Sequence, residues 1–206
     1  MSTENRASRI ADALCSVGWI SLATFIEADL AVALRRELHT LDQQDALTPA
    51  LIGKGPRQRL RADIRGDRTA WLDGASPAQA RLFVQLEALR DHLNRTLFIG
   101  LEDFEAHYAL YPPGAHYQRH VDSFQDDNAR RVSLVIYLND AWRRTDGGLL
   151  RLYTPQSRLI DEILPESGHA VCFLSENFPH EVTPARRERA SIACWFRVRP
   201  DTPLPL

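Results

Sequence analysis

Lysine is almost missing from this chain: Lys54 stands alone against 24 arginines, a bias that fits a GC-rich bacterial genome and carries no chemistry. Cysteine is scarce as well. Three thiols, Cys15, Cys172 and Cys194, cannot all pair, and the last two lie in apolar strand-like runs. Buried free thiols in a reducing cytoplasm are therefore expected. No apolar run approaches the roughly 20 residues needed to cross a bilayer. Residues 1–10 lack the apolar segment of a secretory signal, so no membrane partner is expected. A formal net charge of −2 gives no general pull toward nucleic acid. Repeats and linker-like segments are absent too. The remainder, 206 residues that are 44% hydrophobic and 25% charged, suits one domain spanning 1–206 around a single core.

Two periodicities divide the chain. In the first half, Ile10, Leu14 and Val17 predict a helix over 8–17 that Gly18 stops, and a short strand follows at 19–22. Leu30, Leu34, Leu38 and Leu41 form one stripe of a helix starting at Glu27. Residues 42–60, with Pro49, Gly53, Gly55 and Pro56, read as a loop or loose hairpin. Ser76-Pro77-Ala78-Gln79 is a helix start with cap, first-turn proline and a glutamine three residues on. That helix runs on Leu82, Leu86, Leu89 and Leu93 toward Leu97. From Phe104 the period becomes two. Strands are expected near 103–111, 117–122, 131–138, 149–154, 158–163, 169–174, 179–182 and 189–198. Eight short strands so punctuated predict a mainly β fold with flanking helices: a jelly-roll core over 102–199, helical support from 1–101 packed on its major sheet, and a proline-rich tail at 200–206.

The chemistry concentrates at His120-Val121-Asp122. Side chains at i and i+2 of a strand share a face, so His120 and Asp122 can grip one ion together. His180 from a distant strand completes two histidines and one carboxylate, the facial set typical of non-haem Fe(II) oxygenases. A chance His-x-Asp is expected roughly once in two chains of this composition, so the tripeptide alone means little. Its surroundings carry the weight. Tyr111-Pro-Pro-Gly and Tyr117 precede it, and an apolar strand from Val132 to Leu138 follows. Asp146-Gly147-Gly148 opens another strand, and Pro179-His180-Glu181-Val182 leads nine residues on to Arg189. His107, His116 and His169 are set aside as ligands, and Asp126 and Asp127 are read as shaping a polar loop.

From about Glu102 to Arg199 the chain resembles the catalytic core of 2-oxoglutarate- and Fe(II)-dependent dioxygenases of the prolyl 4-hydroxylase family. It is most similar to the hypoxia-inducible-factor type and its bacterial relatives. Asp63-Ile-Arg-Gly-Asp67 with Trp71, Val135-Ile-Tyr-Leu-Asn139 with Trp142, and His180-Glu-Val-Thr-Pro184 running to Trp195 carry the closer match. The stretch from Tyr111 to His120 departs from it: it is a residue shorter than in the animal enzymes, with Pro113 and His116 where those are glycine-rich.

The resemblance implies Fe(II) on His120, Asp122 and His180, with 2-oxoglutarate and O2 as cosubstrates and ascorbate admitted as a reductant. It implies that Arg189 clamps the distal carboxylate of 2-oxoglutarate, with Arg186, Arg187, Arg197 and Arg199 as competitors for that role. A buried guanidinium suits the task because it offers two parallel hydrogen bonds and keeps its charge. Tyr137 would share the same carboxylate, Tyr111 would lie beside the cosubstrate, and Arg130 and Trp195 would line the substrate entrance. Lys54, Arg57, Arg59, Arg61, Arg65 and Arg68 crowd one stretch. By composition this is a solvated loop; by resemblance it is a finger over the substrate.

The implied activity is hydroxylation of a prolyl residue in a protein, with elongation factor Tu as the natural first partner to test. The alternatives are the same chemistry on a free amino acid or other small molecule, a nucleic-acid demethylase, or a jelly roll that binds metal or peptide without turnover. The demethylase reading lacks its typical arginine pair, since Trp195 stands six residues beyond Arg189.

Overall fold

The first half of the chain supplies three helices and three short strands in the computed structural model, which describes residues 3–51, 59, 61, 63–123 and 129–199. They are α1 (Thr3–Ser16), β1 (Trp19–Leu22), α2 (Ala28–Gln43), β2 (Thr48–Pro49), β3 (Arg68–Trp71) and α3 (Pro77–Leu97). Lys54, Arg57, Asp126, Asp127 and the tail at 200–206 lie outside the described residues. The cap read from sequence is present: Gln79 N–H donates to Ser76 Oγ at 3.1 Å. The Gln79 side chain does not close a capping box. Its oxygen accepts from Asp73 and Gly74 N–H at 2.9 Å each, and its amide donates to Glu37 of α2, to which Ser76 also donates. One glutamine thereby fastens two helices and the preceding turn. β3 escapes the sequence reading because it is only four residues long and begins inside the basic run, on Arg68.

The second half forms β4 (Asp103–Tyr111), β5 (Tyr117–His120), β6 (Arg130–Tyr137), β7 (Leu150–Tyr153), β8 (Leu159–Ile163), β9 (Ala170–Leu174), β10 (His180–Val182) and β11 (Arg189–Arg197). All eight fall where the period-two pattern puts them. One boundary matters: β5 stops at His120, so Asp122 stands in a bend beyond the strand rather than in it.

Two antiparallel sheets face each other, as expected for a jelly roll. The larger has the order β1-β9-β6-β11-β4-β3-β2 and the smaller β5-β10-β7-β8. Alternation sorts the larger sheet's faces. Ala106, Tyr108 and Leu110 of β4, Val132, Leu134 and Ile136 of β6, and Ile192, Cys194 and Phe196 of β11 pack in one core with Leu30, Leu34, Leu38, Leu82, Leu86 and Leu93 of the helices. Each fully buried leucine in that core contributes about 2 kcal/mol. The residues between them on the same strands turn to the opposite face, toward the small sheet. Cys172 and Cys194 are buried free thiols, as read from the sequence.

Candidate active site

The strand register brings the two ligand histidines together. His180 of β10 pairs directly with His120 of β5, and their ring centroids lie 4.3 Å apart. Each ring is oriented through its other nitrogen. His120 Nδ1 lies 2.8 Å from the Gln118 carbonyl and His180 Nδ1 lies 3.0 Å from the Phe178 carbonyl, so both Nδ1 atoms carry the proton. Both Nε2 lone pairs are left for an ion. Asp122 Oδ1 stands 3.5 Å from His120 Nε2 and 3.7 Å from His180 Nε2. Among the described residues this trio forms the group able to hold a metal, with ligand atoms all within 4.8 Å of one another. Two ligands about 2.1 Å from one ion at right angles stand about 3 Å apart, so the three atoms fit a shared ion after slight contraction.

Electrostatics suits the same purpose. Burial pushes His180 down to about 4, against the pull of the Asp122 carboxylate, so its imidazole is neutral at pH 7. Burial alone would raise Asp122. The two histidines and a hydrogen bond from Ser133 outweigh it and hold the carboxyl well below its ordinary range. A neutral His180 imidazole beside an ionised Asp122 carboxylate is what a divalent cation requires of these two ligands.

Arg189 opens β11 on the site-facing side and is 1% exposed. Its Nε donates to the Gly148 carbonyl at 2.8 Å and one terminal nitrogen donates to Ser191 Oγ at 3.2 Å. Both acceptors are neutral. Among the described residues, the other terminal nitrogen and the Tyr137 hydroxyl are buried without a hydrogen-bond partner. Orphaned buried donors on a cation are costly, and a ligand carboxylate is the group that would satisfy both. Burial also pushes the Tyr137 and Tyr111 hydroxyls upward against the opposing Arg189 charge, which keeps both protonated as donors. The guanidinium sits 5.0 Å from the Tyr111 ring centroid and 5.3 Å from that of Tyr137.

The Asp146-Gly147-Gly148 motif explains itself here. Both glycines adopt positive φ, at 68° and 65°. A Cβ on Gly147 would come within 2.3 Å of the Pro184 carbonyl oxygen, and one on Gly148 would meet Arg189 Cδ at 3.0 Å. Only glycine lets this shelf rise close enough to hold the arginine. Asn139 completes the lock, accepting from Ala190 N–H at 2.7 Å and donating to its carbonyl at 2.9 Å.

One cavity of about 1110 Å³ joins the metal trio, Arg189 and Tyr111 to an outer mouth. Arg130 and Trp195 lie there as expected, with the Arg130 guanidinium 3.8 Å over the indole. Glu105 accepts from Arg130 and from Arg197, whose guanidinium also pairs with Asp103. Arg197 is thus committed to an acidic pair, Arg187 bonds the Asp140 carbonyl, and Arg199 pairs with Glu102. None of these three competes with Arg189 for a buried role. His116 and His169 are absent from the trio; His169 Nε2 instead lies 2.7 Å from Ser21 Oγ.

Two contributors, His107 and Ser133, were not anticipated, and Arg65 and Tyr117 make contacts that the sequence did not reveal. His107 is no ligand, but it is buried in the pocket between Trp71 and Trp195, each 5.2 Å away by ring centroid. Arg65 donates two hydrogen bonds to the buried Asp67 and lies over the Tyr117 ring at 4.8 Å. Tyr117 in turn stacks on His120 at 3.6 Å. Ser133 donates to Asp122 at 2.7 Å. The available signals were polar residues placed on the site-facing side of otherwise apolar strands, at 107 and 133.

Residues 106–197 match the family model of the 2OG-Fe(II) oxygenase superfamily. The chain is 30% identical over 203 residues to the hypoxia-inducible factor prolyl hydroxylase of Caenorhabditis elegans, covering 92% of this chain and 28% of that protein. It spans between 28% and 42% of the length of the curated relatives it matches. A crystal structure of a Pseudomonas putida prolyl-4-hydroxylase is 43% identical, with TM-score 0.85 over 94% of this chain and 99% of that one. A Trichoplax adhaerens prolyl hydroxylase, solved with a peptide of the hypoxia-inducible factor oxygen degradation domain, is 26% identical. It has TM-score 0.84 over 95% of this chain and 90% of that one.

Proposed function

Because the chain belongs to the 2OG-Fe(II) oxygenase superfamily, in its prolyl 4-hydroxylase branch, we propose that it hydroxylates a prolyl residue of a protein. One O2 and one 2-oxoglutarate are consumed per turnover; one oxygen atom enters the C–H bond, and succinate and CO2 leave. The observation that carries this reading is the Arg189 terminal nitrogen, buried without a partner among the described residues, in the same cavity as the His120–Asp122–His180 face, with the equally unpartnered Tyr137 hydroxyl on the neighbouring strand. An iron site without an anchor would leave that cation unexplained.

His120, Asp122 and His180 would hold Fe(II) between them. Bound there together, Fe(II) and 2-oxoglutarate supply the oxidising power for attack on an unactivated C–H bond. The chain's own residues bind, orient and shield. Arg189 would take the distal carboxylate on its unpartnered terminal nitrogen, with the Tyr137 hydroxyl as a second donor. Tyr111, Ala109 and Val182 form an apolar wall that excludes water from the inner end. At the mouth, Trp195 under Arg130 and the exposed Trp71 offer flat apolar surfaces for a chain carrying the target proline. A cavity of this size exceeds what 2-oxoglutarate alone occupies, which favours a polypeptide over a free amino acid as the second occupant. Elongation factor Tu is the first protein to test, and a reducing cytoplasm suits three free thiols.

The test is mass spectrometry of soluble bacterial proteins, purified elongation factor Tu among them, incubated with the chain, Fe(II), 2-oxoglutarate and ascorbate. A gain of one oxygen on a single proline, absent without 2-oxoglutarate, is expected. Succinate formation that rises with free proline but with no protein or peptide would replace this reading by small-molecule chemistry.

A further inference from the structure

The Asp122 carboxylate is the least supported of the three ligands by backbone, since β5 pairs with β10 only through His120 and Tyr117. What orients it is a side chain from another strand. Ser133 of β6 is 1% exposed, sits on the site-facing side between Val132 and Leu134, and reaches Asp122 Oδ2 at 2.7 Å. Oδ1 is the oxygen that faces both histidine Nε2 atoms. The two carboxylate oxygens therefore have separate assignments.

Proton counting fixes the direction of each bond. An ionised carboxylate only accepts, so the Ser133 hydroxyl must donate to it. Its one proton is then committed. The 2.9 Å contact between Ser133 Oγ and Ser175 Oγ must run from Ser175 as donor. Ser175 is fully buried just past β9, and its own N–H donates to the Arg131 carbonyl at 3.0 Å. The relay Ser175 to Ser133 to Asp122 thus ties the end of β5 to two neighbouring strands of the large sheet.

We infer that Ser133, supported by Ser175, is a positioning residue for the metal, holding Asp122 so that Oδ1 alone is presented to the ion. The inference rests on the reading that His120, Asp122 and His180 bind a metal. Ser133 touches neither the ion nor the substrate. It acts by ordering a ligand that would otherwise rotate about two side-chain bonds and chelate unevenly. Partners of this kind typically change metal affinity by about 10- to 100-fold.

The test uses the full chain without substrate or O2, titrated with Mn(II) and followed by electron paramagnetic resonance of the free ion. S133V and S133T form the informative pair, because they share a shape and differ only in the hydroxyl. S133V is expected to weaken Mn(II) binding by about 10- to 100-fold, and S133T to stay within about threefold of wild type. S175A is expected to weaken binding by a few-fold, less than S133V, since it removes only the outer donor. Should S133V lower the melting temperature of the metal-free protein, S133A is read in its place against S133T. Wild-type affinity in the folded hydroxyl-less variant, or equal losses in it and S133T, overturns the role of Ser133. D122A is the control for the underlying reading. If D122A binds Mn(II) as tightly as wild type, the metal site itself is wrong; weakened D122A with unchanged S133V removes only the present inference.

Discussion

The inner and outer ends of the cavity are held by different means. At the inner end, Arg189, Tyr111, Ser191 and Tyr137 project from three strands in continuous register, Arg189 opposite Tyr111 and Ser191 opposite Tyr137. The Gly148 shelf and Asn139 then fasten the start of β11. At the outer end, Arg65 meets the small sheet through one isolated bridge to Tyr117, and side chains make the other links: Asp67 to Arg65, Arg65 to Tyr117, Tyr117 to His120. Backbone pairing is shared across a whole sheet, whereas a chain of side-chain contacts fails when one member is lost. Substitution at the inner end should therefore delete chemistry and spare the fold. At the outer end it should loosen structure as well as weaken substrate binding.

The largest effects test the chemistry side of that contrast. His120→Ala and Asp122→Ala should each lower 2-oxoglutarate-dependent succinate formation by at least about a thousandfold, some 4 kcal/mol of barrier. Full turnover in both would end the iron assignment. Arg189→Ala should raise the 2-oxoglutarate concentration needed for half-maximal rate several hundredfold, about 3.5 kcal/mol for a lost charge-assisted grip. Its thermal melting should stay close to wild type, because the shelf and Asn139 remain. An unchanged 2-oxoglutarate requirement would place the anchor elsewhere.

The stability side comes next. Asp67 is 2% exposed and, among the described residues, pairs with Arg65, which it holds well above the ordinary arginine range despite burial. Asp67→Asn breaks the pair and leaves Arg65 part-buried without its carboxylate. Urea unfolding should show a loss of about 3 kcal/mol, the low end for a broken buried pair. The KM for a protein substrate should rise, with Mn(II) affinity changed far less. An unchanged urea midpoint would abolish the distinction between the two ends.

The same contrast explains what could be read from the sequence. The eight strands and the trio were legible because spacing along a strand fixes which face a side chain takes, and antiparallel pairing does the rest; Arg189 was singled out among the competing arginines by resemblance alone. Even there the reading was incomplete. His120 and Asp122 do not share a strand, and Ser133 supplies the orientation that strand geometry was expected to give. Gly147 and Gly148 were read as opening a strand, yet their clearance for Arg189 depends on Pro184 and Ala185, far along the chain. Arg65 and Asp67 were visible as a family landmark and Arg65 as part of a basic run, but no period marks a contact between a loop and a distant ring. Strand β3 was lost because four residues that begin inside a basic run carry no pattern. Short-range order writes itself into periodicity; contacts between segments do not.

His107 offers the smallest effect and the sharpest view of the outer end. Its Nδ1 lies 3.0 Å from the Tyr108 carbonyl and therefore carries the proton, which turns the Nε2 lone pair toward Arg65 at 3.4 Å. Burial first, then the Arg65 charge, lowers it from 6.5 to about 4. A histidine depressed in the fold takes up a proton more readily when unfolded, so its neutral state supports stability above pH 6.5. That support is lost progressively as pH falls from 6.5 toward 4. Relative to a His107→Gln variant, which does not titrate, wild type should lose about 2 kcal/mol between pH 7 and pH 5. Paired urea titrations at the two pH values measure it, and the difference isolates His107 from every other group that titrates in both proteins. A gap between wild type and variant that stays constant over this range would mean that the imidazole is open to solvent. The Arg65–Tyr117–His120 chain would then begin in water and not on a packed sheet.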